Sequence, residues 1–250
     1  MRKLWTPSRR KLLLGGASLI ASPAILRAQV PMTGAGLGKP ATGGVPTLTF
    51  VTGVPAAVVN VANYDTGAVS FGSASSDRLV IVCISANFSS APALSTIGGV
   101  AATLAGAVSG SYQYSAIWFA NVPTGTTGHI VFTSGYIQTV GFSIYNITGA
   151  TVGQTPVTAT QAWGFHVPPT VGITVPGSGV GVVSMMTASD PTGGTWSGGV
   201  SSASDFSDAG TTAVAQSVSE VSTHMTLTGA ITPAWSNNSG AGVIAAAWGP

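Results

Sequence analysis

Asp77-Arg78-Leu79-Val80-Ile81-Val82-Cys83-Ile84-Ser85-Ala86-Asn87 sets a charged pair ahead of six consecutive apolar residues, four of them β-branched. A run this short and this apolar reads as a strand buried on both faces, with the rest of the domain packed around it. Arg78 is the last basic residue of the chain; nothing from Leu79 to Pro250 is Lys or Arg. Its place at the end of a buried strand predicts a structural ion pair with one of the acids. Cys83 is the single cysteine, so no internal disulfide can form. With only Arg78 nearby to activate it, the thiol reads as a small buried hydrophobe.

Working outward, the composition supports many such strands. The 250 residues include 34 Gly and 15 Pro, only 6% are charged, and mean hydropathy is +0.45. Disordered chains are polar and highly charged, which excludes that class. Short β-rich runs joined by Gly/Pro turns are expected instead, in a domain large enough to stand without disulfides or metals. The formal net charge of +2 is misleading, because six of the eight basic residues lie within the first 27 positions. From Gln29 onward two cations stand against six acids, a net charge of −4. Nucleic-acid binding requires Lys and Arg to neutralise phosphates, so that class is excluded.

Residues 1–28 have the layout of a cleavable export signal. A basic segment precedes an apolar stretch from about Leu12 to Leu26, and small residues end at Ala28, the expected cleavage point. The apolar stretch is too short and too Gly-interrupted for a stable membrane span. Ser8-Arg9-Arg10-Lys11-Leu12-Leu13 resembles a twin-arginine signal, with Arg9 and Arg10 as the recognised pair. Residues 29–46 are Gly/Pro-rich and read as a linker. Residues 47–250 read as one domain.

Within that domain the expected strands are short. Thr47–Val51 and Ala57–Val61 are separated by Gly53 and Pro55, and Gly98-Gly99 marks a two-residue hairpin between Leu94–Ile97 and Val100–Leu104. Further strands are expected at Tyr112–Val122, His129–Thr133, Gln138–Thr148, Thr170–Val175, Gly179–Ala188 and Ala241–Trp248, with a hairpin of Met225–Leu227 and Ile231–Trp235. No apolar spacing of three and four residues is sustained after the signal, so few helices are expected. The fold class is all-β: a two-sheet antiparallel β-sandwich with jelly-roll or Greek-key-like connections.

No arrangement of residues points to catalysis. There is no Gly-x-Ser-x-Gly, and the histidines are His129, His166 and His224. A triad of His224 with Asp205 or Asp208 and a serine, or two of the six acids flanking a sugar bond, are the enzymatic alternatives. No Cys-x-x-Cys, His-x-His or His-x-x-x-His occurs, which argues against zinc. No cofactor is expected. Asp190, Asp205 and Asp208 offer oxygens of the kind a structural Ca²⁺ takes, but such residues more often cap turn amides. The binding candidates are aromatic. Tyr112, Tyr136, Trp163, Phe165 and Trp196 fall in or beside expected loops, where flat side chains can stack on sugars, whereas Trp118, Trp235 and Trp248 fall within strands and read as core.

Three stretches carry a resemblance: Ser75-Ser76-Asp77-Arg78-Leu79-Val80-Ile81-Val82, Ile97-Gly98-Gly99-Val100-Ala101-Ala102-Thr103, and Val122-Pro123-Thr124-Gly125-Thr126-Thr127-Gly128-His129-Ile130-Val131. Together they resemble β-sandwich domains of surface and fibre-like proteins from prophages and related particles of alphaproteobacteria. The resemblance implies a fold and a particle-surface setting, with no catalytic residues to carry over. A twin-arginine-like signal departs from what a virion component would carry, and leaves open a protein the host keeps for its own surface or an N-terminal arm that stays attached. The expectation is a non-enzymatic module acting at the cell surface, in the periplasm or on a particle. Its partners would be glycans or other surface subunits. A secreted polysaccharide or ester hydrolase, and a self-assembling homo-oligomeric subunit pairing through sheet edges, are the alternatives.

Overall fold

The computed structural model describes residues 44–88, 93–110, 113–133, 136–151, 153–156, 158–164, 170–175, 179–187, 195–197, 204–207, 215–217, 226–232 and 241–250. Regular structure among them is entirely strand. The first strands are β1 (Thr47–Val61), β2 (Tyr64–Asp65), β3 (Val69–Ser70), β4 (Leu79–Phe88), β5 (Ala93–Ile97), β6 (Val100–Ala101) and β7 (Thr103–Ser109). Next come β8 (Gln113–Asn121), β9 (Thr127–Gly128), β10 (Ile130–Thr133), β11 (Ile137–Thr148), β12 (Thr158–Gly164) and β13 (Thr170–Thr174). The last are β14 (Val180–Thr187), β15 (Thr195–Ser197), β16 (Ser204–Ser207), β17 (Ala215–Ser217), β18 (Thr226–Thr232) and β19 (Ala241–Trp248). Among the described residues no helix is long and apolar enough to cross a membrane.

The quoted run becomes β4, the middle strand of a five-stranded antiparallel sheet in the order β1-β11-β4-β8-β7. Its side chains alternate between two cores. Leu79, Ile81 and Cys83 join Ile117, Phe119, Tyr145 and Ile147 in a layer shared with Val180, Val182, Ile244 and Trp248 of β14 and β19. Val80, Val82, Ile84 and Ala86 face the other way, against Leu94, Ile97, Ile130 and Phe132 of β5 and β10. The sheet β12-β19-β14 therefore covers one face, and the sheet β2-β10-β5-β6 covers the other. A further layer places Val171, Ile173 and Val175, in and just after β13, on the outer face of β14 and β19, where they pack with Val183, Val243, Ala245 and Ala247. The all-β, antiparallel, sheet-on-sheet class is as expected, and its layers number more than two.

Several local expectations are revised. Thr47–Val61 is one strand, not two. β1 is at the sheet edge; Gly53 stays paired with Ser143, and the register shift between Val54 and Ala57 absorbs Pro55 without ending the ladder. Thr226–Thr232 is likewise one strand, where a hairpin is expected from 225 to 235. Trp235 lies outside the described residues. The Gly98-Gly99 hairpin forms as expected, with φ of 60° and 78° at the two glycines.

Arg78 departs most from expectation. It is fully buried, and its hydrogen bonds go to backbone carbonyls instead of to an acid. Nε donates to Val122 O at 2.8 Å; Nη1 donates to Phe71, Gly72 and Ser73 O, and Nη2 to Thr124 and Gly125 O. Five N–H groups reach six acceptors, so one hydrogen is shared. The fork ties the 71–73 and 122–125 segments together at the start of β4. Burial pulls its pKa down from the ordinary guanidinium value, and the carbonyl dipoles offset the lost hydration. Asp77 instead accepts from Ser75 Oγ and from Gly149 N, the latter at 2.7 Å.

Candidate functional site

Antiparallel register assigns every strand a direction, and so gives the layers two ends. β8 begins with Gln113 opposite Asn87, and β11 begins with Ile137 opposite Phe88, so both start where β4 finishes. In the covering sheet, Gly164 at the end of β12 and Thr187 at the end of β14 both lie opposite Ala241, the start of β19. Two contacts align the sheets. Ser115 Oγ and Ser184 Oγ lie 3.2 Å apart near the start of β8, and Phe119 and Trp248 meet edge to face at 5.9 Å near its other end. The ends of β4, β12 and β14 thus share one end of the molecule with the starts of β8, β11 and β19.

That end gathers the aromatic positions. Tyr136 immediately precedes β11 and is 42% exposed. Trp163 is the penultimate residue of β12, opposite Gly242. Trp196, expected in a loop, instead occupies β15. It lies opposite Ile231, one residue beyond the Ala230–Thr170 pair that marks the start of β13. Since β13 starts six residues after Gly164 and ends near the start of β14, Trp196 belongs to the same end. Tyr112 and Phe165 lie outside the described residues. Tyr136 leads into the central sheet, and Trp163 and Trp196 stand in the two sheets stacked beyond it, each layer ~10 Å from the next.

A second feature of this end was missed in the sequence reading. Along the face of β4 that looks toward β14 and β19, the residues run Leu79, Ile81, Cys83, Ser85, Asn87, passing from apolar to polar. The neighbouring strands follow, with Ser115 opposite Ser85, Thr139 opposite Asn87, and Ser143 opposite Cys83. All five polar residues, and Ser184 across the layer, are buried. Thr139 Oγ1 and Ser143 Oγ have no hydrogen-bond partner, although buried hydroxyls normally find one. Reading every second residue of the quoted run would have exposed this gradient.

The charged side chains described collect at the opposite end. Arg78 and Asp77 stand before β4. His129 Nδ1 lies 2.8 Å from Asp65 Oδ1, an exposed pair, and His129 O accepts from Gly98 N beside Phe71. The Asp65 carboxylate also accepts from Gly67 N at 2.8 Å, the main cause of its lowered pKa. Among the described residues, no three His, Cys, Asp or Glu side chains come together as a metal site. Asp190, Asp208, His166 and His224 lie outside the described residues, and Asp205 stands in β16.

The same end holds a shallow groove of about 450 Å³ lined by Thr49, Val51, Ser70, Ser73, Asn146 and Thr148, among others. Asn146 Nδ2 donates to Phe71 O at 2.6 Å, while its Oδ1 has no partner. Phe50 also borders the groove, but its ring stacks edge-on against Tyr145 at 5.3 Å. Tyr145 belongs to the core on the opposite face of the sheet, while Phe50 itself is about half exposed. No family model matches the chain, and no curated protein or solved structure matches it.

Proposed function

We propose that this chain is a non-catalytic β-sandwich module that works outside the cytoplasm and binds glycan at the end marked by Tyr136, Trp163 and Trp196. The observation that carries the reading is the convergence of these three aromatic positions, from three different sheets, on one end of the layered domain. Aromatic faces offer large apolar area at low entropic cost, which suits the apolar faces of sugar rings. The twin-arginine-like signal with Arg9, Arg10 and Ala28 supports export. The resemblance to particle-surface sandwiches supports an adhesive or structural setting. The His129–Asp65 pair stands at the other end, away from the aromatic positions, and enters no part of this reading.

A glycan array probed with the purified full-length chain tests the proposal. Retention on a defined set of glycans is expected. Tyr136→Ala and Trp163→Ala should each weaken it several-fold, consistent with about 1 kcal/mol per aromatic contact. Unchanged retention in Tyr136→Ala, Trp163→Ala and Trp196→Ala, each melting like the parent, would overturn this placement of the site. N-terminal sequencing of the native protein tests cleavage after Ala28.

A further inference from the structure

We infer that the groove between β1, β11 and the 70–73 loop is a second binding site, separate from the aromatic end, and that it takes a sugar unit through the sugar's hydroxyl groups. The inference goes beyond the glycan reading above and does not depend on it. The groove measures about 450 Å³, within the size range of small-ligand sites, and its lining residues all belong to the described part of the chain.

Strand alternation sets the groove's base. Leu48, Tyr145 and Ile147 point into the core shared with β14 and β19, so Thr49, Asn146 and Thr148 point to the other face. On that face Ile144 still packs in a core, and the strand turns polar two residues later. The 70–73 loop stands opposite and is held in place. Arg78 Nη1 donates to Phe71, Gly72 and Ser73 O at 2.9–3.1 Å. Phe71 N donates to Thr126 O at 2.8 Å, and Gly72 N to Ser70 Oγ at 3.2 Å. A groove fixed before its ligand arrives loses little entropy on binding.

Thr49, Ser70 and Ser73 are exposed and Thr148 is half-buried, so the groove offers four hydroxyl-bearing side chains to a molecule lying in it. Ser70 Oγ accepts from Gly72 N and keeps its own proton to donate. Asn146 lies deepest, at 5% exposure. Its Nδ2 is committed to Phe71 O at 2.6 Å, which leaves Oδ1 as an acceptor without a donor. A matching ligand therefore brings a hydrogen-bond donor to this spot, directly or through one water. Ionised phosphate and carboxylate groups bring only acceptors. Sugar hydroxyls bring both, and suit Ser and Thr hydroxyls that act as either. Phe50, about half exposed at the groove's border, adds apolar surface of the kind a sugar ring's C–H face covers.

Saturation-transfer NMR on the full-length chain with maltose, cellobiose and diacetylchitobiose tests the inference, with methylammonium as a donor that carries no acceptor. At least one sugar should bind. Its affinity should fall several-fold in Thr49→Val and Thr148→Val, which remove a hydroxyl and keep the β-branched shape, and in Ser73→Ala. Tyr136→Ala and Trp163→Ala should leave this binding unchanged. Sugar binding lost in those aromatic variants, yet untouched in the three groove variants melting like the parent, would overturn the groove site and leave the glycan reading intact. The reverse pattern would support the groove and remove the aromatic end. Methylammonium displacing the sugars at equal concentration would overturn sugar recognition, and no saturation transfer to any sugar would overturn the site.

Discussion

Ser115 Oγ of the central sheet lies 3.2 Å from Ser184 Oγ of the covering sheet, inside a layer from which solvent is excluded. This hydroxyl contact lies where the inter-sheet core turns from Leu, Ile and Val to Ser, Thr and Asn. It also sets which end of one sheet overlies which end of the other. A shift of one residue would turn Ser184 away and bring an outward-facing valine inward.

A double-mutant cycle should detect the bond. Ser115→Ala is expected to cost about 1 kcal/mol, with Ser184→Ala costing less in its presence than alone. Strictly additive losses in urea melts would show that the pair is not coupled.

Arg78→Ala should be among the most damaging single changes, costing about 3 kcal/mol or more, because it leaves several carbonyls without donors. Arg78→Lys should recover little, since one ammonium cannot reproduce a planar fork. Millimolar methylguanidinium should raise the melting temperature of Arg78→Ala and leave the parent unmoved. A variant melting like the parent would refute the role of Arg78 as the tie between the two segments.

Ile81 and Val82 face opposite layers, and both are fully buried. Ile81→Ala and Val82→Ala should therefore each cost about 2–4 kcal/mol. Ile81→Asp or Val82→Asp should abolish folding. If only one of the two alanine variants is destabilised, the central sheet is covered on one face alone. Cys83, in the same strand, should resist thiol reagents until the chain unfolds.

Asp77 supplies a pH dependence with a definite sign. The Ser75 hydroxyl first, then the Gly149 amide, hold its pKa below the usual carboxylate value. A depressed carboxylate contributes stability above its unfolded pKa, and loses it as pH falls through the folded one. The contribution should thus be complete above about pH 4 and fade below it. Asp77→Asn should flatten that acid limb; melts of the two proteins that stay parallel from pH 6 to pH 2 would remove Asp77 as its source.

The legibility of the fold followed from period and turn chemistry. The run Leu79–Ile84 was readable as a doubly buried strand because neither of its alternating sets is polar. The Gly98-Gly99 hairpin was readable because paired glycines accept positive φ. β1 was misread because Gly and Pro weaken a strand in general but are tolerated at an edge that pairs on one side. Trp196 was misread because the Gly residues around it looked like a loop, while its pairing to Ile231 is a long-range contact without a local signature.

The sequence by itself determined an all-β chain with buried strands, one unpairable cysteine and no cation beyond Arg78, because side-chain polarity and alternation are local properties. Tertiary structure decided the rest. It sent Arg78 to carbonyls instead of carboxylates, because every residue carries a carbonyl and no sequence pattern announces which will converge. It also brought Tyr136, Trp163 and Trp196 to one end and the described charges to the other. Strand direction and register set that separation, and they depend on pairings between residues far apart in the chain.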